Sequence, residues 1–225
     1  MSKSVIIYGG SFNPPTLAHR AILEHVYAFF GGDKIKRFII APVYSHAYGK
    51  SLADFGDRLA MCELAFSDFT ATAGKSEESG RSAIVTSIDR ALNSGGSMYK
   101  FLREYWKMYS THPMNDFNFK ILIGSDQALE IHDKWIDGPK LISEYNFIIV
   151  PRGDYQDTLT KCVWLNNRYK EHIILPPLPY YKRTISSTQA REQLSKHCDS
   201  RDYVVSKEVK DFCLKNKTYY HLNEQ

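Results

Sequence analysis

Short apolar runs alternate with amphipathic stretches along the chain, and that alternation limits the fold more than any other feature. The runs Val5–Tyr8, Arg37–Ala41, Ala83–Ser87, Phe119–Ile123, Asn146–Val150 and His172–Leu175 are rich in Ile, Val and Phe, the composition of strands covered on both faces. Between them, Leu17–Phe30 places Ala18, Ile22, Val26 and Phe29 on one side. Asp57–Phe66 carries Leu59, Cys62 and Phe66, and Met98–Met108 carries Met98, Phe101, Leu102 and Tyr105. These spacings predict helices with one apolar face. Strands alternating with helices predict a parallel sheet joined by right-handed crossovers.

The fold expected is therefore a Rossmann-like, doubly wound α/β sheet with helices on both faces and a small C-terminal helical part. Ligands bind such sheets at the carboxyl ends of the strands, near the reversal in strand order. Three long loops follow strands or helices, Val43–Asp54, Ala71–Ser82 and Tyr109–Asn118. The second, ATAGKSEESGRS, reads as a solvated excursion. With 225 residues, 43% hydrophobic and 24% charged, the chain can bury one sizeable core and is not expected to be disordered.

The formal net charge of +4 suits a polyanionic small molecule but falls short of a basic face for nucleic acid. Cys62, Cys162, Cys198 and Cys213 have no CxxC or CxxH spacing, which argues against structural zinc and a disulfide framework and fits a reducing compartment. Met1 leads through Ser-Lys-Ser straight into a strand, and no apolar stretch approaches the roughly 18 residues of a membrane span. A cytoplasmic protein with no membrane partner is expected, with the nucleus left open for a eukaryotic source and homo-oligomerisation left open as well.

The first strand runs into GGSFNPPTLAH, residues 9–19. Gly9 and Gly10 lack a Cβ, so their backbone can approach a bulky anion. Pro14 and Pro15 hold the loop extended and delay the helix until Thr16. Thr16 then stands as N-cap or first-turn residue, with His19 on the same face. Helical side chains tilt toward the amino end, so both point to where free N–H groups and the positive dipole end converge. That makes an anion site with an imidazole added; the competing reading is a surface histidine behind a helix stop. Near the other end, ISSTQAR (185–191) pairs Ser186 with Gln189 as a capping box, and Arg191 can lean back toward the same anion. Plain capping chemistry is the alternative there.

GGSFNPPTLAH resembles the nucleotidylyltransferase signature G-x-F-[DN]-P-x-[HT]-x-x-H, and ISSTQAR is similar to the second signature of the nicotinate/nicotinamide mononucleotide adenylyltransferase family. IGSDQALEIHDKW (123–135) looks like that family's G-[AST]-D-x(n)-W segment. The stretch with Tyr-Gly-Lys at 48–50 and a helix bearing Arg58 resembles its eukaryotic mononucleotide loop, and VPRGD (150–154) its strand-end arginine turn. The resemblance runs from residue 5 to about 220. It implies a single nucleotidylyltransferase domain over 1–225, with a helical segment about 186–220 packed on it.

For the site, the resemblance implies His19, Thr16 and Arg191 as catalytic groups. It implies ATP on Gly9, Gly10, Ser11, Phe12, His19, Gly124, Asp126, Arg152, Ser186, Ser187, Thr188 and Arg191. The mononucleotide falls to Ser11, Lys50, Arg58, Tyr99 and Trp135. Asp126 as a helix N-cap, Trp135 as core and Lys50 as a surface lysine are the competing readings. One departure stands out: the bacterial G-G-x-S-Y-T box reads GGSMYK (95–100), with Lys100 where threonine is usual.

The reaction implied is adenylyl transfer from Mg-ATP to the 5′-phosphate of a pyridine mononucleotide. Mg²⁺ is expected to ride on the ATP phosphates, with no metal site of the protein's own. The rival readings are a transferase for another phosphate acceptor, such as pantetheine phosphate, and a non-catalytic nucleotide-binding module.

Overall fold

The computed structural model describes residues 3–45, 49, 51–69, 82–109, 118–153, 155–166, 171–196 and 203–220. Six strands form one sheet: β1 (Ser4–Gly10), β2 (Ile35–Pro42), β3 (Ala83–Val85), β4 (Asn118–Gly124), β5 (Asn146–Val150) and β6 (Ile173–Ile174). Their spatial order is β3-β2-β1-β4-β5-β6, and every pairing is parallel. The chain thus winds outward from β1 in one direction and then in the other, which puts the reversal between β1 and β4 and makes this a Rossmann-like α/β fold.

Alternation along each strand splits the core in two. Ile6, Tyr8, Phe38, Ile40, Leu122, Ile148 and Val150 face one layer, with helices α1 (Leu17–Phe30), α2 (Phe55–Ala65), α9 (Ser187–Ser195) and α10 (Lys207–Asn216). Val5, Ile7, Ile39, Ile121, Ile123, Phe147 and Ile149 face the other, with α4 (Met98–Tyr109), α5 (Ser125–Lys134) and α6 (Gly138–Glu144). Both faces are covered, which explains the unbroken apolar runs. Shorter helices α3 (Ile88–Leu92), α7 (Gln156–Lys161) and α8 (Tyr180–Arg183) are the other α-helices among the described residues.

Several expected boundaries shift. Gly9 and Gly10 belong to β1 itself, opposite Ala41 and Pro42, because the ladder with β2 persists to the strand's end. Helix α2 begins at Phe55, two residues early, because Asp54 accepts from Gly56 N–H at 2.7 Å and from Asp57 N–H at 3.4 Å, an N-cap that periodicity does not reveal. On α1, Leu23 is fully buried while Phe29 is 49% exposed. Phe29 shares the angular position of the buried stripe, so its exposure reflects the last turn overhanging the core. There it meets Phe30 edge-on, ring centroids 5.4 Å apart.

The loops expected over Ala71–Ser82 and Tyr109–Asn118, and residues 46–48 and 50 of the first loop, lie almost wholly outside the described residues. Cys62, Cys162 and Cys213 are buried and in no disulfide. Cys198 lies outside the described residues. No helix of the described residues is long and apolar enough to cross a membrane.

Candidate active site

A cleft of about 660 Å³ opens at the carboxyl ends of β1 and β4, the position the strand order dictates. Its floor is Gly9, Gly10, Ser11 and Phe12. A Cβ on Gly9 would overlap the methyl of Met98, so this glycine makes room for the head of α4. Phe12 is 1% exposed and adopts a left-handed φ of 43°, a conformation that costs a non-glycine residue about 1 kcal/mol or more. Its ring is locked between Tyr8 (5.3 Å), His19 (5.2 Å) and Phe66 (6.0 Å), which offsets that cost and fixes the wall behind His19.

His19 lines the cleft, and its Nδ1 accepts the backbone N–H of Thr16 at 3.0 Å, with the Thr16 hydroxyl 2.8 Å from the same nitrogen. A backbone N–H can only donate, so Nδ1 keeps its lone pair and the neutral ring carries its proton on Nε2. Burial, reinforced by the charge of Arg152, pushes the imidazole pKa down to about 3. His19 is therefore a neutral donor near pH 7. Thr16 is 3% exposed and lies behind the lining. Its hydroxyl faces the His19 ring, which it orients, and is not part of the cleft lining. The head of α1 also differs from a bare anion site, because Leu17 N–H is taken by Val204 O at 2.9 Å.

The facing wall comes from β4, β5 and α9. Gly124 leads into α5, and a Cβ there would overlap Asp126 Oδ1 and lie 2.8 Å from Arg152 Cδ, so only glycine lets those two side chains close over the strand end. Asp126 is the second residue of α5 rather than its N-cap, and its carboxylate stands 3.7 Å from Arg152 Nη1. Arg152 is held by Ser125 Oγ, which accepts its N–H at 2.9 Å, and by Ile185 O, which accepts from Nη2 at 3.2 Å. Ser187 and Thr188 open α9 and line the cleft with Arg191. Arg191 donates to Asn13 O at 2.8 Å and to Thr188 Oγ1 at 3.1 Å. Ser186, expected to bind ATP, spends its hydroxyl capping Gln189 N–H at 3.1 Å and stays outside the lining.

Helix α5 spans ten residues, about 15 Å, from Asp126 at this cationic end to Trp135 at the other. Trp135 lines the cleft and also packs on the core. Met98, Phe101, Ser97 and Gly96 close that end together with Asp89. Asp89 is 3% exposed, with one carboxylate oxygen accepting Tyr44 N–H at 2.6 Å. Gly96, Ser97 and Met98 lie in the GGSMYK stretch, where the reading fell on Tyr99 and Lys100 instead, and Asp89 carried no recognisable signal.

Three residues expected at the mononucleotide stand elsewhere or undescribed. Arg58 is 1% exposed and donates to Ala53 O (3.0 Å), Ser11 O and Val43 O (2.8 Å each) and Tyr44 O (3.2 Å). Four carbonyls consume its guanidinium, so it braces the loops and does not face the cleft. Tyr99 points to α6, donating to Glu144 Oε1 at 2.8 Å; the turn of α4 that aims Met98 inward aims its neighbour out. Lys100, likewise outward, donates to Asn93 O at 3.1 Å. Lys50 lies outside the described residues.

The His19 geometry is directly measurable. Nitrogen-15 NMR of the imidazoles is expected to show one ring as the Nε2–H tautomer, still neutral near pH 4, where an ordinary histidine is protonated. Because the folded pKa lies below the unfolded 6.5, the unfolded chain takes up the proton first, so this group subtracts stability as the pH falls from about 6.5 toward 3. A ring titrating near 6.5 would contradict the capping arrangement.

The motif pattern of the cytidylyltransferase-like family matches residues 7–193. The chain belongs to that family. Among curated relatives of this cytidylyltransferase-like chain, a protein named probable nicotinate-nucleotide adenylyltransferase, from Acholeplasma laidlawii, is 31% identical over 221 residues, covering 96% of this chain and 97% of the relative. One from Anaeromyxobacter sp. is 27% identical and covers 91% of each. Among solved structures, the Plasmodium falciparum nicotinic acid mononucleotide adenylyltransferase complexed with NaAD superimposes with a TM-score of 0.72 at 26% identity, covering 96% of this chain and 97% of that one. These relatives agree with the resemblance read from the GGSFNPPTLAH and ISSTQAR motifs.

Proposed function

We propose that this protein transfers the adenylyl group of ATP to the 5′-phosphate of nicotinate mononucleotide, and of nicotinamide mononucleotide as well, releasing pyrophosphate and deamido-NAD or NAD. The observation that carries the reading is the convergence of His19, Arg152 and Arg191 on one end of a cleft whose other end offers Trp135. The relatives' names support the nicotinate form.

In this reaction a phosphate oxygen of the mononucleotide forms a bond to the α-phosphorus of ATP, and the bond to the α,β-bridging oxygen breaks. A phosphomonoester has its second pKa near 6, so the nucleophile is ionised at neutral pH and needs no base. What the protein supplies is position and charge stabilisation. The neutral His19 donates from Nε2 to the triphosphate, and Arg152 and Arg191 balance the negative charge that grows as pyrophosphate leaves. Asp126, at a strand end beside Gly124, is placed to accept from the ATP ribose. Thr16 acts through His19.

The side chains of the cationic end are His19, Arg152, Arg191, Ser187 and Thr188, and its nearest carboxylate, Asp126, faces Arg152. That donor set suits a hard cation held by triphosphate oxygens and water rather than by a protein cage. Mg²⁺ arriving with ATP would neutralise phosphate charge.

At the ring end, Lys134 pairs with Glu130 at 2.7 Å, and Asp133 and Asp89 also line the cleft. Among the described residues there, the cation is matched by carboxylates. Both mononucleotides are therefore expected as substrates, with a preference below about tenfold, since one exposed charge contact is worth about 1 kcal/mol or less. Competing the two in one assay with ATP, with phosphopantetheine as a third acceptor, tests this. Lys100→Thr is expected to leave the ratio unchanged. Turnover of phosphopantetheine alone would replace the reading with another transferase, and ATP binding without turnover of any acceptor would replace it with a binding module.

A further inference from the structure

The C-terminal end of the described chain reaches back to the substrate loops through one buried hydroxyl. Tyr219, 2% exposed, follows α10 and donates its phenol O–H to Asn13 Oδ1 at 3.0 Å. The same oxygen accepts Ala53 N–H at 3.1 Å, and the Asn13 backbone carbonyl accepts Arg191 Nη1 at 2.8 Å. Asn13 is itself 2% exposed. One residue therefore joins the loop after β2, the loop after β1 and the arginine of α9, and the C-terminal tyrosine holds its side chain. Thr218 adds a second tie, donating to Asp57 Oδ2 on α2 at 3.3 Å.

We propose that Tyr219 is a positioning residue, acting through Asn13 to set the two substrate loops and Arg191 relative to each other. An amide oxygen has two lone pairs, and here Ala53 and Tyr219 donate to it. Burial raises the phenol pKa, so the hydroxyl remains a donor throughout the neutral range. Removing it leaves Asn13 Oδ1 with one donor in a buried setting, so the loop that carries Asn13 is held less tightly, and its backbone carbonyl, which receives Arg191, shifts with the loop. The kinetic part of this inference rests on the adenylyl-transfer reading; the coupling of the loops does not.

Tyr219→Phe keeps the ring and deletes one hydrogen bond. Hydrogen exchange is expected to quicken not only at 207–220 but also across 51–58, which contains the Ala53 amide, and 11–20. KM for ATP and for the mononucleotide is expected to rise about fivefold with kcat within about twofold, the scale of one buried hydrogen bond. In an Asn13→Ala background, where the acceptor is gone, Tyr219→Phe is expected to add nothing further. Faster exchange confined to 207–220 with both KM values unchanged would reduce Tyr219 to a packing residue and overturn the proposal. If the wild-type protein turns over neither mononucleotide while exchange across 51–58 still responds, the adenylyl-transfer reading fails and the positioning stands.

Discussion

Replacing His19 with alanine is expected to lower kcat by about a hundredfold or more, the scale of removing one preorganised donor to a developing oxyanion. The magnitude follows from what the protein has already arranged. The ring is half-buried against Tyr8 and Phe12 in the wall of the cleft, so its hydrogen bond to phosphate forms in a setting of lower dielectric than water. Its tautomer is set by Thr16, so no proton must be relocated before reaction. The stability cost is expected to be modest, confined to the Thr16 bond and to the ring contacts with Tyr8 (6.1 Å) and Phe12 (5.2 Å). His19→Gln, which retains an N–H, is expected to recover part of the rate, while Thr16→Val is expected to lower kcat less than His19→Ala with ATP affinity nearly kept. A His19→Ala enzyme with wild-type turnover would remove the imidazole from the mechanism altogether.

The sheet was legible in the sequence because strands buried on both faces leave unbroken apolar runs, and all six runs coincide with strands in the structure. The position of the cleft followed from topology alone, since the loop after β1 sits at the reversal in strand order. Within the site, the residues that could be placed in advance were those whose role depends on local sequence. Gly124 must be small where Asp126 and Arg152 close over it, and Arg191 sits one turn inside a capped helix.

What could not be read was set by long-range contacts. Met98 rather than Tyr99 faces the cleft because α4 begins at Met98 and turns its neighbour toward Glu144 on α6, a contact 45 residues distant. Asp89 lies in a five-residue helix with no periodicity to flag it. Thr16 looked like a phosphate ligand because Thr-x-x-His places both side chains on one turn. The same spacing closes the pair on each other, and only burial decides between the two outcomes. Arg58 shows the general difficulty: an arginine beside a phosphate loop and an arginine bracing that loop have the same sequence.

Those two roles of Arg58 separate cleanly by mutation. Its side chain is among the largest that are fully buried, and its four carbonyl partners come from both ends of the loop between β2 and α2 and from the loop after β1. Arg58→Ala leaves those carbonyls without donors and a cavity between the loops, so a loss of about 3–5 kcal/mol is expected. For a chain of 225 residues that corresponds to a fall in Tm of roughly 10 °C. Arg58→Lys keeps the charge but cannot reproduce a planar fork that donates in three directions, so it is expected to recover less than half of the loss. Below the melting range, KM for the mononucleotide is expected to rise together with KM for ATP, because Ser11 O on the cleft floor and Val43 O and Tyr44 O beside it are released at once. A variant with unchanged Tm and a raised KM for the mononucleotide alone would return Arg58 to the substrate phosphate, and would require the loop after β2 to open before substrate enters.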